Sequence, residues 1–193
     1  DMYQRLKKAV EDVNVVVATY SDSSLGNTKL APEDGTVLFG DALHSWGFGL
    51  STFAEMYAAK MGVDAAKMCA RLWGENFFDP EKKQWSNVQQ PEGRTEPLRR
   101  AFCQFVMDPI TQLMRAIVSD DSEKWRAMMS TLGIKLESSD RGLQGRSLMR
   151  RVMQVWINSG DALQAMIVTK LPSPKEAQKY RVECLYEGPM DDE

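Results

Sequence analysis

The chain has 193 residues, 43% of them hydrophobic, enough for a real core in one domain or a domain with a small subdomain. A net charge of −3 and a pI near 5.4 exclude general nucleic-acid binding, DNA included, and leave only local basic contacts. Three cysteines without paired spacing and one histidine leave a metal site almost no ligands, and no apolar run approaches the roughly 20 residues of a membrane span.

A reducing cytoplasm is therefore the expected compartment. The sequence begins at Asp1 within a helical pattern and stops at Asp191-Asp192-Glu193, and it reads as a piece of something longer. Leu6, Val10, Val13, Val16 and Val17 fall at helical spacing and predict a first helix over about eighteen positions. Gly26-Asn27 and Pro32-Glu33-Asp34-Gly35 are turn chemistry, which leaves Thr36 to Phe39 as a short buried strand. Gly40-Asp41-Ala42-Leu43-His44 follows as a loop before a helix from Phe48 to Met61, with Leu50, Phe53, Ala54, Tyr57 and Ala58 on one face. In open α/β sheets ligands sit beyond the carboxyl ends of strands, so a strand, loop and helix in this order mark a candidate site.

Gly62 ends that helix, and Asp64 caps another that carries Met68, Leu72 and Trp73 and closes at Gly74. Phe77 to Trp85 reads as a β-hairpin with a polar tip, and Val88 to Pro97 as a polar, disordered loop. Phe102, Phe105 and Met107 suit a strand or buried turn. Asp108-Pro109 is then an N-cap and first helical position ahead of Ile110, Leu113, Met114 and Ile117. Asp121-Ser122 starts a helix bearing Trp125, Met128, Met129 and Leu132, stopped by Gly133. Ile134 to Leu136 alternates like a brief strand, and Ser138 to Arg141 is a charged turn. Leu148, Val152, Val155 and Trp156 mark the next helix. Asp161 caps the last clear one, with Leu163, Met166, Ile167 and Leu171 buried until Pro172 and Pro174 break it. The expected total is five to seven helices with a few short strands.

Several segments, in order, resemble the eukaryotic elongation factor 2 translocases. They are Val13 to Val17, Gly35 to His44, Ser51 to Tyr57, Arg71 to Phe78, Lys83-Gln84-Trp85, Asp161 to Pro174, and Tyr180 to Pro189. The resemblance covers essentially the whole chain and implies an α/β fold class: the C-terminal part of a P-loop GTPase G domain with a mainly helical α+β insertion. Residues 1–47 would end the G-domain core, 48–157 would form the inserted G′ subdomain, and 158–193 would hold the closing helix and a linker.

By the same resemblance, Gly40, Asp41, Ala42 and Leu43 form the guanine-contacting loop, with the Ala42 N–H as donor to the guanine O6. Asp41 stands where the family has Ser. Ser45, Gly47 and Gly49 depart from the family pattern at the entry to the insertion, and Ile157 to Gly160 replaces a more rigid junction. GTP or GDP with Mg2+ is the implied ligand of the intact protein, and the ribosome, at its large-subunit stalk region and RNA, the implied partner. No membrane or DNA partner is implied, and a monomer is expected. A ribosome-maturation or spliceosomal GTPase, and a stand-alone helical module that recruits a stalk protein, are the rival readings.

No Gly-x-x-x-x-Gly-Lys-Ser/Thr, Asp-x-x-Gly or Asn-Lys-x-Asp occurs in these residues. The chain alone therefore lacks the phosphate cradle and Mg2+ site on which phosphoryl transfer depends, and neither GTP binding nor hydrolysis is expected of it. Arg146, Arg150 and Arg151, with Arg141 and Lys135 near, read either as a solvated face or as a ribosome contact. His44 reads as a surface or capping residue. The five tryptophans and most of the twelve methionines read as core.

Overall fold

A computed structural model describes residues 2–20 and 27–188, with the backbone alone at 183 and 184. Asp1, Gly26, Pro189 and the acidic end 191–193 lie outside the described residues. Among the described residues the chain is a mainly helical α+β fold with eight α-helices and two small antiparallel sheets. No helix is long and apolar enough to cross a membrane among them.

Helix α1 (Met2–Thr19) is anchored at one end by Tyr3, which is fully buried. Farther along, the Asn14 side chain donates to the Leu30 carbonyl at 2.8 Å and accepts from the Leu30 N–H at 2.7 Å. This satisfies both polar groups of a passing backbone, as a partly buried segment requires. Val13, Val15 and Val16 are exposed. A 3-10 turn (Pro32–Asp34) follows and ends on Gly35 at φ +72°.

The strand is not Thr36–Phe39 but β1 (Phe39–Asp41), which pairs antiparallel with β2 (Trp46–Phe48). Gly40 is therefore inside a strand, and residues 42–45 are the turn of a hairpin. The helix expected from Phe48 begins two residues later, as α2 (Leu50–Met61).

Helices α2 and α3 (Ala65–Leu72) form a hairpin whose signals are local and legible: Gly62 at φ +65° ends α2, and the Asp64 carboxylate accepts from the Lys67 N–H. β3 (Phe77–Asp79) and β4 (Gln84–Ser86) make the expected second hairpin, with Phe78 opposite Trp85. The polar stretch 88–97 has no regular structure, but it is tied down. Arg94 reaches the Asp79 carboxylate at 2.5 Å, and the Leu98 N–H donates to the Gln89 carbonyl at 2.6 Å.

Phe102–Met107 is neither strand nor simple turn; it is a π-helical run continuous with α4 (Asp108–Val118). Because the helix is already under way, Asp108 has no orphan amide to cap, and its carboxylate pairs with Arg99 instead. α5 (Ser122–Leu132) starts on Asp121 and stops on Gly133, as expected. Ile134–Leu136 forms no strand, a further departure from the sequence expectation. α6 (Gly145–Trp156), α7 (Ser159–Lys170) and α8 (Pro174–Leu185) complete the chain.

Asn158, not Asp161, caps α7, accepting from the Gly160 and Asp161 amides at 2.7 and 3.3 Å. α7 stops at Lys170, just ahead of Pro172, as expected, but it is not the last helix. Ser173 and Glu176 form a reciprocal capping box, and Pro174 sits in the first turn of α8.

One apolar cluster holds these elements together. Tyr3, Phe39, Trp73 and Phe102 meet with ring centroids 4.9–5.6 Å apart. Leu50, Phe53, Leu72, Ile110, Leu113, Val152 and Met153 continue it through α2, α3, α4 and α6. Trp46 and Trp73 are buried, and Trp85, Trp125 and Trp156 pack against the cluster, so the tryptophans are core residues. Helix α7 behaves otherwise. Its apolar residues are interleaved with polar ones and none of its residues is buried; Leu163, Ile167 and the C-capping Leu171 are 48%, 45% and 63% exposed.

Candidate functional site: the turn of the first hairpin

The β1–β2 hairpin places residues 42–45 at the surface of the cluster. Gly40 faces Gly47 across the pair, and the two backbones approach so closely that a Cβ on Gly40 would lie 2.5 Å from the Trp46 carbonyl oxygen. The glycine is thus required by strand contact, not by a loop conformation. Trp46 and Phe48 are buried, so the hairpin is fixed to the core by alternate residues of β2.

Asp41 organises the turn. Its Oδ1 accepts from the Leu43 N–H at 2.9 Å and the His44 N–H at 3.3 Å, and its Oδ2 lies 2.6 Å from the His44 ring Nδ1. This is the Asx-type capping for which Asp is suited. The carboxylate is turned back on its own loop, away from any ligand beyond the tip. His44 accordingly serves as a capping partner.

The turn has four backbone amides, and three have partners. Leu43 and His44 donate to Asp41, and Ser45 donates to the Ala42 carbonyl at 3.3 Å. Ala42 is exposed, and its N–H has no hydrogen-bond partner among the described residues. An unpartnered amide beside a small, exposed side chain can donate to a planar acceptor such as a nucleobase carbonyl.

The hydrogen bond to the His44 ring is the main cause that holds the Asp41 carboxyl below its ordinary range, with the two amides adding to it. A carboxylate depressed by folding adds stability that is complete above its unfolded pKa, near 4, and is lost as the pH falls through the lower folded value. Replacing Asp41 with Ala should therefore cost about 1 kcal/mol near neutral pH. Chemical denaturation of both proteins across the acid range checks this, since the difference must shrink below about pH 4. A difference that persists undiminished in strong acid would refute the role given to the ionised carboxylate.

No protein-family model matches the chain.

The arginines predicted for a ribosome contact separate into two kinds. Arg146 and Arg150 stand one turn apart on α6 and are exposed, with Arg150 reaching the Ser45 hydroxyl at 3.4 Å. Arg151 is engaged within the chain, 2.9 Å from Asp140 and 3.9 Å from Glu137. Arg100 is likewise structural: it stacks over Tyr3 and Phe77 and donates to the Gly74 carbonyl. Among the described residues no group of three or more His, Cys, Asp or Glu side chains is placed to hold a metal ion.

A groove of about 710 Å3 runs beside the hairpin, between α7 and the α2–α3 pair. Gly47, Gly49, Cys69, Asn158, Ala162 and Met166 are among its walls, but residues 41–45 are not. Burial raises the Cys69 thiol above its usual range, and Cys69 donates to the Glu33 carbonyl, so it is a neutral packing group. The contacts that sequence reasoning missed come from α6 and α7. Gln154 donates to the His44 carbonyl at 3.2 Å, and the Ser159 hydroxyl donates to the Ser45 carbonyl at 3.3 Å. These partners are more than a hundred positions from the turn, and no local pattern announces them.

Proposed function

We propose that this chain is part of an elongation factor 2-like GTPase that drives the movement of tRNA and mRNA through the ribosome. The observation that supports this best is the hairpin turn, where the N–H of the small, exposed Ala42 has no hydrogen-bond partner among the described residues. On this reading Gly40, Asp41, Ala42 and Leu43 are the guanine-side wall of a pocket, with Ala42 donating to the base. Gly40 and Asp41 act through strand contact and turn capping.

The α7 helix adds support. Leu163, Ile167 and Leu171 recur every four residues along one side of α7 and its end, a spacing that ordinarily faces a core, yet all three are exposed within this chain. A G-domain sheet laid on Leu163, Ile167 and Leu171 would cover it. On the proposed reading residues 1–47 and 158–193 belong to that G domain and 48–157 to its insertion. The Trp46–Asn158 bridge and the bond from the Gly47 N–H to the Ile157 carbonyl would join the two ends. GTP or GDP with Mg2+ would bind the intact protein, a cytoplasmic monomer, and the exposed pair Arg146 and Arg150 would face the ribosomal stalk or its RNA.

The reading is tested by calorimetry. The chain alone should show no micromolar binding of GDP, because its residues hold no phosphate-binding loop. A longer polypeptide that includes the residues preceding Asp1 should bind GDP and hydrolyse GTP on ribosomes. Micromolar GDP binding by the chain alone, or no guanine-nucleotide binding by the longer protein, overturns the proposal.

A further inference from the structure

The Ala42 turn is not self-sufficient. Asp41 occupies two of its amides, but the His44 and Ser45 carbonyls are bonded by side chains from α6 and the first turn of α7. The His44–Ser45 peptide is gripped at both ends. Its carbonyl accepts from Gln154 at 3.2 Å, and its N–H donates to the Ala42 carbonyl at 3.3 Å. A peptide unit is planar, so fixing its oxygen fixes the direction of its N–H. That N–H in turn holds the Ala42 carbonyl, in the peptide next to the one that carries the Ala42 amide, so that closing the turn limits rotation between the two. Ser159 restrains the following carbonyl, and the bond from the Gly47 N–H to Ile157 at 3.1 Å secures β2 behind them.

We infer that Gln154 and Ser159 are positioning residues that hold the conformation of residues 42–45, from which the Ala42 N–H is presented, and so set the base selectivity of the turn. This rests on the reading of the turn as guanine-facing. Guanine presents a carbonyl acceptor at position 6, where adenine presents an amino donor. An amide held in one direction rewards the first and opposes the second, whereas a wandering amide does neither well. Neither side chain touches nucleotide on this account; both act through the backbone of residues 42–45.

The test uses the intact protein and fluorescent GDP and ADP analogues, with Gln154→Met and Ser159→Ala combined. Met keeps the size of Gln and removes its donor. The ratio of ADP to GDP dissociation constants should fall by roughly threefold to tenfold, through weaker GDP binding alone, as expected for lost hydrogen bonds to one backbone segment. Gln154→Lys, which retains a donor, should keep most of the selectivity in the otherwise unchanged protein. Loss of fold would weaken both nucleotides together and leave the ratio unchanged. A parent protein that separates GDP from ADP, with a double variant that separates them equally well, overturns the positioning role alone. A parent that does not separate them overturns the guanine-facing reading, and this role with it.

Discussion

Replacing Phe102 with Ala is expected to destabilise the chain by about 3–5 kcal/mol, the usual range for truncating a fully buried aromatic ring. Phe102 has no solvent exposure, and its ring lies 5.6 Å from Tyr3, 5.3 Å from Phe39 and 5.1 Å from Trp73. Those partners come from α1, β1 and the end of α3, so the cavity would open where three segments distant in sequence converge. The backbone there is continuous π-helix and α-helix, which cannot collapse inward without disturbing α4. Urea denaturation should show the midpoint falling with little change in slope. A loss under about 1 kcal/mol would show that the aromatic cluster is not the centre of the core.

Gly40→Ala is expected to cost about 1–3 kcal/mol, as overpacking does, and to loosen the turn it supports. The added Cβ would lie 2.5 Å from the Trp46 carbonyl oxygen and 2.9 Å from the Gly47 Cα. Both are backbone atoms and cannot swing aside as a side chain could, so the strands must separate. Separation strains the Asp41–Trp46 end of the hairpin and the bond from Gly47 to Ile157. Gly47→Ala is the natural control, because its Cβ would meet its nearest neighbour, the Phe39 carbonyl oxygen, at 3.2 Å. Denaturation midpoints and amide exchange at residues 43–45 should rank Gly40→Ala as the worse change. Equal effects from the two would mean that strand contact does not explain Gly40.

The same hairpin shows why part of the fold was hidden in the sequence. Thr36 to Leu38 has strand composition but makes no pairing, whereas the pairing segment Trp46-Gly47-Phe48 looks like the entry to a helix. Strand formation depends on what lies opposite, here Gly47 against Gly40. Phe102 to Met107 misled in a similar way, since π-helical spacing matches neither the strand period nor the helical one. Asp108-Pro109 carries a helix-start signal, but it falls inside a helix already running from the preceding residues. Helix α8 was readable and was missed: Ser173, Pro174 and Glu176 spell a capping box directly after the expected stop.

The site divides along the same line. Asp41 beside Leu43 and His44 is a local motif, and its capping follows from residues within three positions of one another. Signals whose energies are local were legible in the residues alone. These are the Asp64 and Asp121 caps, the Gly62 and Gly133 stops, the Phe77–Trp85 hairpin and the apolar stripes of α2, α4, α5 and α6. Tertiary contacts set which strand pairs with which, the exposure of α7, and the hold of Gln154 and Ser159 on residues 42–45. A cap or a stop is set by one turn of backbone and its own side chains. A hydrogen bond across more than a hundred positions exists only after the core has brought both ends together, and so it leaves no periodicity or spacing to read.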